Sequence, residues 1–384
     1  LASRLFRWEN WGLSVELPFL ETHFAQSRAL GLGLDQAALL LRGSPLKESE
    51  SSLPELLSGA SNKKEAHAFE RFIEDYRFNE MIGVDPREYL AAASKNALDG
   101  LEDTWNSFVG NASALAEISV GAFALMPAVW AAIGYFSVQF MALLPDLVVG
   151  LVVLFALLVF AAERITPTFP SPRTPPAWPV VVFLSSGLLM LPLEPMPSIL
   201  FAAESVAGYF GFTRLFSLER DVREMRAMSQ LFMELKAEAE VGMGPAYALE
   251  RISVHFPQQL LRRMLSDWLG SLRVGSPLRA AGDGFSLFLS WLLAAQMQGG
   301  ELDAVSLGLL SRFSEGLSAS LSKLRTSLNG LLAISVASPP VYPLSVLSSI
   351  MCAVLMGKLA GGSWTFVLPL ALSLPVVIAG AIFL

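Results

Sequence analysis

Long apolar runs alternate along this chain with charged stretches in which apolar residues recur every three or four positions. A helix needs about 20 apolar residues to cross the roughly 30 Å of hydrocarbon in a bilayer. Runs that approach or exceed this length lie at 118–138, 145–162, 177–193, 197–213, 328–356 and 364–384. The pattern therefore predicts about six membrane-spanning helices.

The charged residues fall mostly in two segments outside these runs. In the second segment Leu249, Ile252 and Phe256 follow helical spacing, and no alternating strand pattern competes with it. We predict an all-α membrane protein with two helical-bundle lobes. Its predicted parts are a first lobe over 1–115, four transmembrane helices over 116–213, a second lobe over 214–326 and two transmembrane helices over 327–384.

Composition and basic residues place these parts relative to the membrane. Apolar residues make up 53% of the chain and charged residues 16%, with a mean hydropathy of +0.51. The proline-rich connector over 163–176 carries Arg164 and Arg173, and further arginines follow the fourth predicted span. Because basic residues favour the cytoplasmic side, we expect a multi-pass protein of the cell membrane with both lobes and this connector in the cytoplasm.

Part of the first lobe recurs in the second. Gly31 and Gly33 correspond to Gly242 and Gly244 at an offset of 211 residues, and Pro127 corresponds to Pro339 at 212. Two other pairs share the offset of 212, namely Pro45 with Pro257 and Leu90 with Leu302. We interpret this as an internal duplication of a lobe and its membrane helices, in which the glycines form a joint between two helices.

Short motifs follow one another in a fixed order in the second lobe. A glycine joint at Gly242 leads to Ala248 with Leu249, then Pro257, then a turn at Gly275, and then a Gly300-Glu301 pair before a long helix. This order resembles the type II secretion system F domain family. The first lobe follows the order less closely and has Gly83-Val84-Asp85 where the second has the Gly-Glu pair. Counting both copies, the resemblance extends over about residues 20–356.

This resemblance implies a platform protein of type IV pili, archaella or type II secretion. Such a protein is expected to bind a hexameric cytoplasmic ATPase, to pass pilin-like subunits into a filament, and to form a homo-oligomer, such as a dimer, in membrane lipid. We expect the ATPase to contact a surface formed by Gly300, Glu301, Arg262, Arg263 and Arg273. Gly31, Gly33, Gly242, Gly244, Pro257, Gly275, Pro127 and Pro339 are expected to be structural.

No sequence pattern indicates catalysis, so we expect neither an enzyme nor a cofactor. The three histidines have no metal-ligand spacing, and no Gly-x-x-x-x-Gly-Lys-Ser/Thr string is present. Acidic residues outnumber basic ones in 1–115 and nearly balance them in 214–325, which does not favour nucleic-acid binding.

A transporter built from two repeats is the alternative interpretation. In that case Asp146 and Glu204 would line a polar path through the membrane. A transporter concentrates polar groups within its spans, whereas a platform concentrates them in its lobes. The distribution of charge in this sequence favours the platform.

Overall fold

A computed structural model describes residues 13–41, 44–46, 66–136, 144–166, 195–256, 259–282, 284–337, 351–352, 354–356 and 359. Regular structure within these ranges is entirely helical, which confirms the all-α class for this part of the chain. The helices are α1 (Leu13–Ala29), α2 (Leu34–Leu39), α3 (Ala66–Met81), α4 (Pro86–Val120), α5 (Met126–Phe136), α6 (Leu144–Ile165), α7 (Pro195–Glu240), α8 (Pro245–His255), α9 (Gln259–Val274), α10 (Phe285–Gln298) and α11 (Ala304–Ala337).

The chain divides into two compact units, and each contains segments from both halves of the sequence. Unit 1 comprises 1–105 with 221–319, and unit 2 comprises 106–220 with 320–384. Segments predicted to form two lobes thus both contribute to unit 1.

Aromatic side chains form the centre of unit 1. Phe19 of α1 stacks on Phe288 of α10 with ring centroids 4.9 Å apart, and it meets Phe313 of α11 edge-on at 6.0 Å. Trp105 of α4 packs edge-on against Phe285 at 5.4 Å. Phe19, Phe288 and Phe313 are at most 2% exposed, so this cluster joins helices distant in sequence by removing large apolar surfaces from water.

Polar groups are also buried in unit 1. The hydroxyls of Thr22 and Ser94 hydrogen bond at 2.9 Å, and Ser286 donates to a carboxylate oxygen of Glu224 at 3.1 Å. Glu21 is 8% exposed, and its burial raises the pKa of the carboxyl to about 7. This core therefore contains many polar side chains.

The two glycine joints of the repeat have the same backbone. Gly31 and Gly242 have φ values of 81° and 80°, and each ends a helix in a Schellman motif with two backbone hydrogen bonds. Gly33 and Gly244 have φ values of −76° and −69°, and each is the N-cap of the next helix. Gly275 has a φ of 74° and ends α9 with the same hydrogen-bond pattern. This agrees with the turn that the sequence predicts at Gly275.

The long helices α4 and α11 begin in the same way. A glycine with positive φ comes first, Gly83 at 82° or Gly300 at 85°. An aspartate then accepts a backbone N–H from the first turn, Asp85 from Arg87 at 2.9 Å and Asp303 from Val305 at 3.1 Å. The feature that α4 and α11 share at their first turn is thus a glycine followed by an aspartate N-cap, and not a Gly-Glu pair.

Within unit 2, α4 and α11 lie side by side and run in the same direction. Side-chain hydrogen bonds join Asn106 to Ser320 and Ser113 to Ser327, and both pairs are separated by 214 residues. Buried positions on both helices alternate four and three residues apart, which is the spacing of a helix–helix seam. They are Val109, Ala112, Ala116 and Ser119 on α4, and Leu321, Leu324, Leu328 and Leu331 on α11.

A single π-helical turn, Gly121–Leu125, connects α4 to α5. Pro127 follows it within the helical backbone of α5. Proline has no N–H and its ring clashes with the carbonyl four residues earlier, so a wider turn before it relieves this conflict without ending the helix.

Two stretches of unit 2 have exposed apolar surfaces. Pro86–Trp130, which begins in unit 1, is the one helix among the described residues that is long and apolar enough to cross a membrane. In α6, Val149, Val153, Leu157 and Phe160 are each more than half exposed. The interpretation of six spans stays a prediction.

Several predicted features lie outside the described residues. They are most of the proline-rich connector, the spans at 177–193 and 364–384, Pro257 and Pro339.

The joint geometry predicts different effects of one substitution at two neighbouring glycines. Gly242→Ser should lower the free energy of unfolding by about 1–2 kcal/mol, because its φ of 80° is unfavourable for a residue with a Cβ. Gly244→Ser should be neutral or stabilising, because its backbone is extended, nothing lies within 4 Å of an added Cβ, and serine caps helices well. Thermal unfolding of the purified variants measures both, and equal losses would contradict the assignment.

Candidate functional site

The five residues expected to contact a partner occupy two places in unit 1. Arg262, Arg263 and Arg273 lie on α9, whereas Gly300 and Glu301 lie in the turn between α10 and α11. Within the described structure no hydrogen bond or ion pair joins Glu301 to any of these three arginines. The residues of the predicted surface therefore come from two elements, α9 and the turn before α11.

Arg262 has a structural role at the end of α8. Its Nε and Nη2 atoms both donate to the carbonyl oxygen of Phe256, at 3.1 and 2.8 Å. The last carbonyls of a helix have no partner within that helix, so a guanidinium that binds one of them stabilises the helix end. This guanidinium also holds the start of α9 against the end of α8.

Arg273 belongs to a series of exposed ion pairs. Its Nη2 lies 2.9 Å from a carboxylate oxygen of Glu250 on α8, and both side chains are about 60% exposed. Arg251 of α8 in turn pairs with Glu238 of α7 at 3.1 Å. Exposed pairs of this kind contribute about 0–1 kcal/mol each, so they orient α7, α8 and α9 more than they stabilise them.

Arg263 and Glu301 are the members of the set that remain available for binding. Both side chains are exposed, and within the described residues neither side chain makes a hydrogen bond or an ion pair. A charged side chain that the fold itself does not use can bind a partner of opposite charge without breaking an internal contact.

Close packing explains the glycine that precedes the pair. Gly299 lies against Leu30, the last residue before the first joint, and a Cβ at position 299 would come within 2.3 Å of the Leu30 Cδ1 atom. Gly300 follows with a φ of 85°, which only glycine adopts readily. The sequence predicts that both glycines free the backbone to turn before the last helix; Gly300 has the positive φ of such a turn, and Gly299 makes the close approach to Leu30.

The charge at the start of α11 comes from Asp303 and not from Glu301. We expect a helix from about Leu302 with both carboxylates in its first turn, but α11 begins at Ala304. Asp303 accepts the backbone N–H groups of Val305 and Ser306, each at 3.1 Å, and also the Ser306 hydroxyl. Glu301 lies outside the helix, which removes helix capping as an explanation for it.

Among the described residues no group of three or more His, Cys, Asp or Glu side chains could hold an ion. The available groups, Arg263 and Glu301, suit reversible contact with a protein surface.

No protein-family model, curated protein or solved structure matches this chain. The resemblance to the F domain family consequently rests on the order of motifs within the sequence and on its duplication.

Substitution at the start of α11 distinguishes the cap from its neighbour. Asp303→Ala should lower the free energy of unfolding by about 1 kcal/mol, since two backbone N–H groups lose their acceptor. Asp303→Asn should retain most of that stability because asparagine also caps helices.

Glu301→Ala serves as the control. It should change stability by less than about 0.5 kcal/mol, as is usual for an exposed position. Urea titration of the three variants provides the comparison, and an equal loss for Glu301→Ala would return the capping role to both carboxylates.

Proposed function

We propose that this chain is an integral membrane platform protein that couples a cytoplasmic secretion ATPase to the assembly of a pilus-like filament. It acts without catalysis of its own and without a cofactor or nucleic acid. Its partners are a hexameric ATPase, pilin-like subunits, membrane lipid and a second copy of the chain. Which filament it serves depends on those subunits.

The observation that carries this proposal is the matched pair of long helices. Both α4 and α11 start at a glycine and an aspartate cap in a charged segment, and both continue into a predicted span. A helix that is continuous between a partner-binding surface and the bilayer transmits a displacement because its backbone hydrogen bonds resist bending. Force from an ATPase requires such a connection.

The duplication also supports the proposal. The landmarks in the sequence recur at an offset of 211 or 212, and the φ values of corresponding glycines differ by 1° for Gly31 and Gly242 and by 7° for Gly33 and Gly244. The buried seam positions of α4 and α11 also correspond at 212, as Val109 does to Leu321 and Ala116 to Leu328. Two copies of one helical unit are what the F domain resemblance implies.

Exposed apolar surface favours a place in the membrane. Val149, Val153, Leu157 and Phe160 lie along one side of α6, and lipid is the environment in which such a stripe costs no free energy. Near the end of this helix the guanidinium of Arg164 lies 4.8 Å from the ring centroid of Phe160. An arginine stacked on an aromatic ring suits the polar boundary of a bilayer.

The transporter alternative receives less support from the same helix. Between Asp146 and Glu163, α6 contains no ionisable residue, and Asp146 is exposed in its first turn. Glu204 lies in α7, in a part of that helix where the structure describes the backbone only. A polar path through the membrane would need groups that α6 does not supply.

The proposed topology places exposed positions of both lobes in the cytoplasm. With Cys352 replaced by alanine, cysteines at Ala92 and Gly270 should react with a membrane-impermeant maleimide only after intact cells are permeabilised. Labelling of the extracellular loop of a known membrane protein in the same cells is the control. Modification of either position in intact cells would exclude the proposed topology.

Charge removal at the two available residues tests the coupling itself. Glu301→Gln keeps the size of the side chain, and Arg263→Gln shortens it. Neither charged group makes a hydrogen bond or an ion pair within the described fold. Each variant should reach normal membrane levels, lose filaments and retain less ATPase in co-purification. Arg71→Gln, which removes an exposed charge from α3, should leave both properties unchanged.

Normal filament assembly and normal ATPase co-purification in both variants would exclude this coupling surface. Loss of the protein from the membrane would indicate a structural role instead and would equally contradict the prediction.

A further inference from the structure

Unit 1 contains a cavity of about 860 Å³ beside the first glycine joint. One wall consists of α1 and the joint, a second is α10, and a third is the segment 277–280, which follows the turn at Gly275. Cavities of roughly 300–1,000 Å³ are typical of sites for small molecules. Neither the proposed coupling surface nor the membrane helices account for it.

Hydrogen bonds from the neighbouring helices hold the third wall in place. Gln298 of α10 donates to the Leu278 carbonyl at 3.3 Å, and the indole N–H of Trp268 on α9 donates to the Arg279 carbonyl at 2.8 Å. The wall is therefore attached to two helices at successive residues. A cavity that is already formed needs little ordering when a ligand enters it.

The surface that a ligand can touch in this cavity is mostly apolar. His23, Gln26 and Gln296 are at most 2% exposed, so their polar atoms lie within the walls. The apolar lining side chains that are at least partly exposed are Leu30, Leu32, Leu40, Pro45, Pro277 and Leu287. Apolar surface that faces water within a cavity favours an apolar occupant.

A single charged residue, Arg279, stands among the described lining residues. Its side chain is exposed and makes no hydrogen bond or ion pair within the described structure. The bond from Trp268 to its carbonyl fixes the backbone of Arg279 on the third wall, from which the long, flexible side chain can extend over the cavity. A guanidinium binds a carboxylate through two parallel hydrogen bonds, so the charge suits an anionic group at one end of an apolar ligand.

We propose that this cavity binds a fatty acid of medium chain length, with its carboxylate on Arg279 and its acyl chain against the leucines and prolines of the walls. An acyl chain has no polar group along its length and needs no partners there. A peptide of similar size would bring N–H and C=O groups into mostly apolar surroundings, where each unpaired group is unfavourable. The site depends on unit 1 alone and stands independently of the proposed role in filament assembly.

Octanoate and octanamide are matched probes for this site, because they share one chain and nearly one shape, and only octanoate is charged. Octanoate at about 1 mM should raise the melting temperature of the purified full-length protein in detergent. Octanamide should bind at least about tenfold more weakly by calorimetry, because it cannot form the ionic pair with the guanidinium. The uncharged amide enters detergent micelles at least as readily as octanoate, so partitioning cannot produce this preference.

Two further compounds identify what must carry the carboxylate. Butanoate keeps the charged group and loses half of the chain, so it should bind at least about tenfold more weakly than octanoate. N-Acetyl-leucylleucine has a free carboxylate and two apolar side chains, but its amide groups would lose water without finding partners. It should likewise bind at least about tenfold more weakly than octanoate.

Arg279→Gln tests the position of the carboxylate. The substitution should abolish the preference for octanoate over octanamide and leave the ligand-free melting temperature unchanged, because the side chain makes no hydrogen bond or ion pair within the described fold. Arg71→Gln, the same substitution at an exposed position of α3, should leave the preference intact.

Three outcomes would overturn the proposal. They are no melting shift with octanoate, an affinity for any of the three comparison compounds that equals that for octanoate, and an undiminished preference in Arg279→Gln. The first two use only the unaltered protein, so the test stands even where a substituted protein fails to fold.

Discussion

The packing of Phe19 against Phe285, Phe288 and Phe313 is the contact on which unit 1 depends. It joins α1, near the start of the chain, to α10 and α11, which lie more than 260 residues later. Burying such large rings contributes roughly 1.5–3 kcal/mol for each side chain, and the ring–ring geometry adds to this. Because Phe19 also fixes α1, it positions the first glycine joint beside α10. Gly299 can then approach Leu30 closely.

The sequence predicted the local features well because they depend on residues close together in the chain. Gly31 and Gly242 lie where a helix must stop and the backbone must turn left-handed, and glycine at such a position is a local signal. Helical periodicity likewise identified the all-α class. The common core of unit 1 could not be predicted in this way, since nothing in the neighbourhood of Phe19 specifies that its partner is Phe288. Long-range packing is decided by the shapes of surfaces that only the folded chain brings together.

The candidate site was predictable only in part, for a related reason. Arg262, Arg263 and Arg273 look alike in the sequence, yet Arg262 binds the Phe256 carbonyl, Arg273 binds Glu250, and Arg263 binds neither. Which of several like charges is free to meet a partner depends on contacts that helical spacing does not define. The helix start at about Leu302 was wrong by two residues, which placed Glu301 in the first turn beside Asp303, although Asp303 alone accepts the first N–H groups.

Divergence between the two copies has a physical reason where α4 and α11 meet in unit 2. The buried seam positions of α4 are mostly small, with Ala112 and Ala116 among them, whereas those of α11 are all leucine. Leucine at the buried positions of both helices would force the helix axes apart, and alanine at both would leave gaps. Small side chains on one helix and large side chains on the other therefore pack more densely than two identical copies. The pairs Asn106–Ser320 and Ser113–Ser327 then fix the register, because sliding by one residue would separate both hydrogen bonds together. Asn106 is exposed and both hydrogen bonds are only partly buried, so water can replace a lost partner and the bonds themselves contribute little stability. They select one register, whereas the buried apolar positions supply most of the free energy that holds the two helices in place.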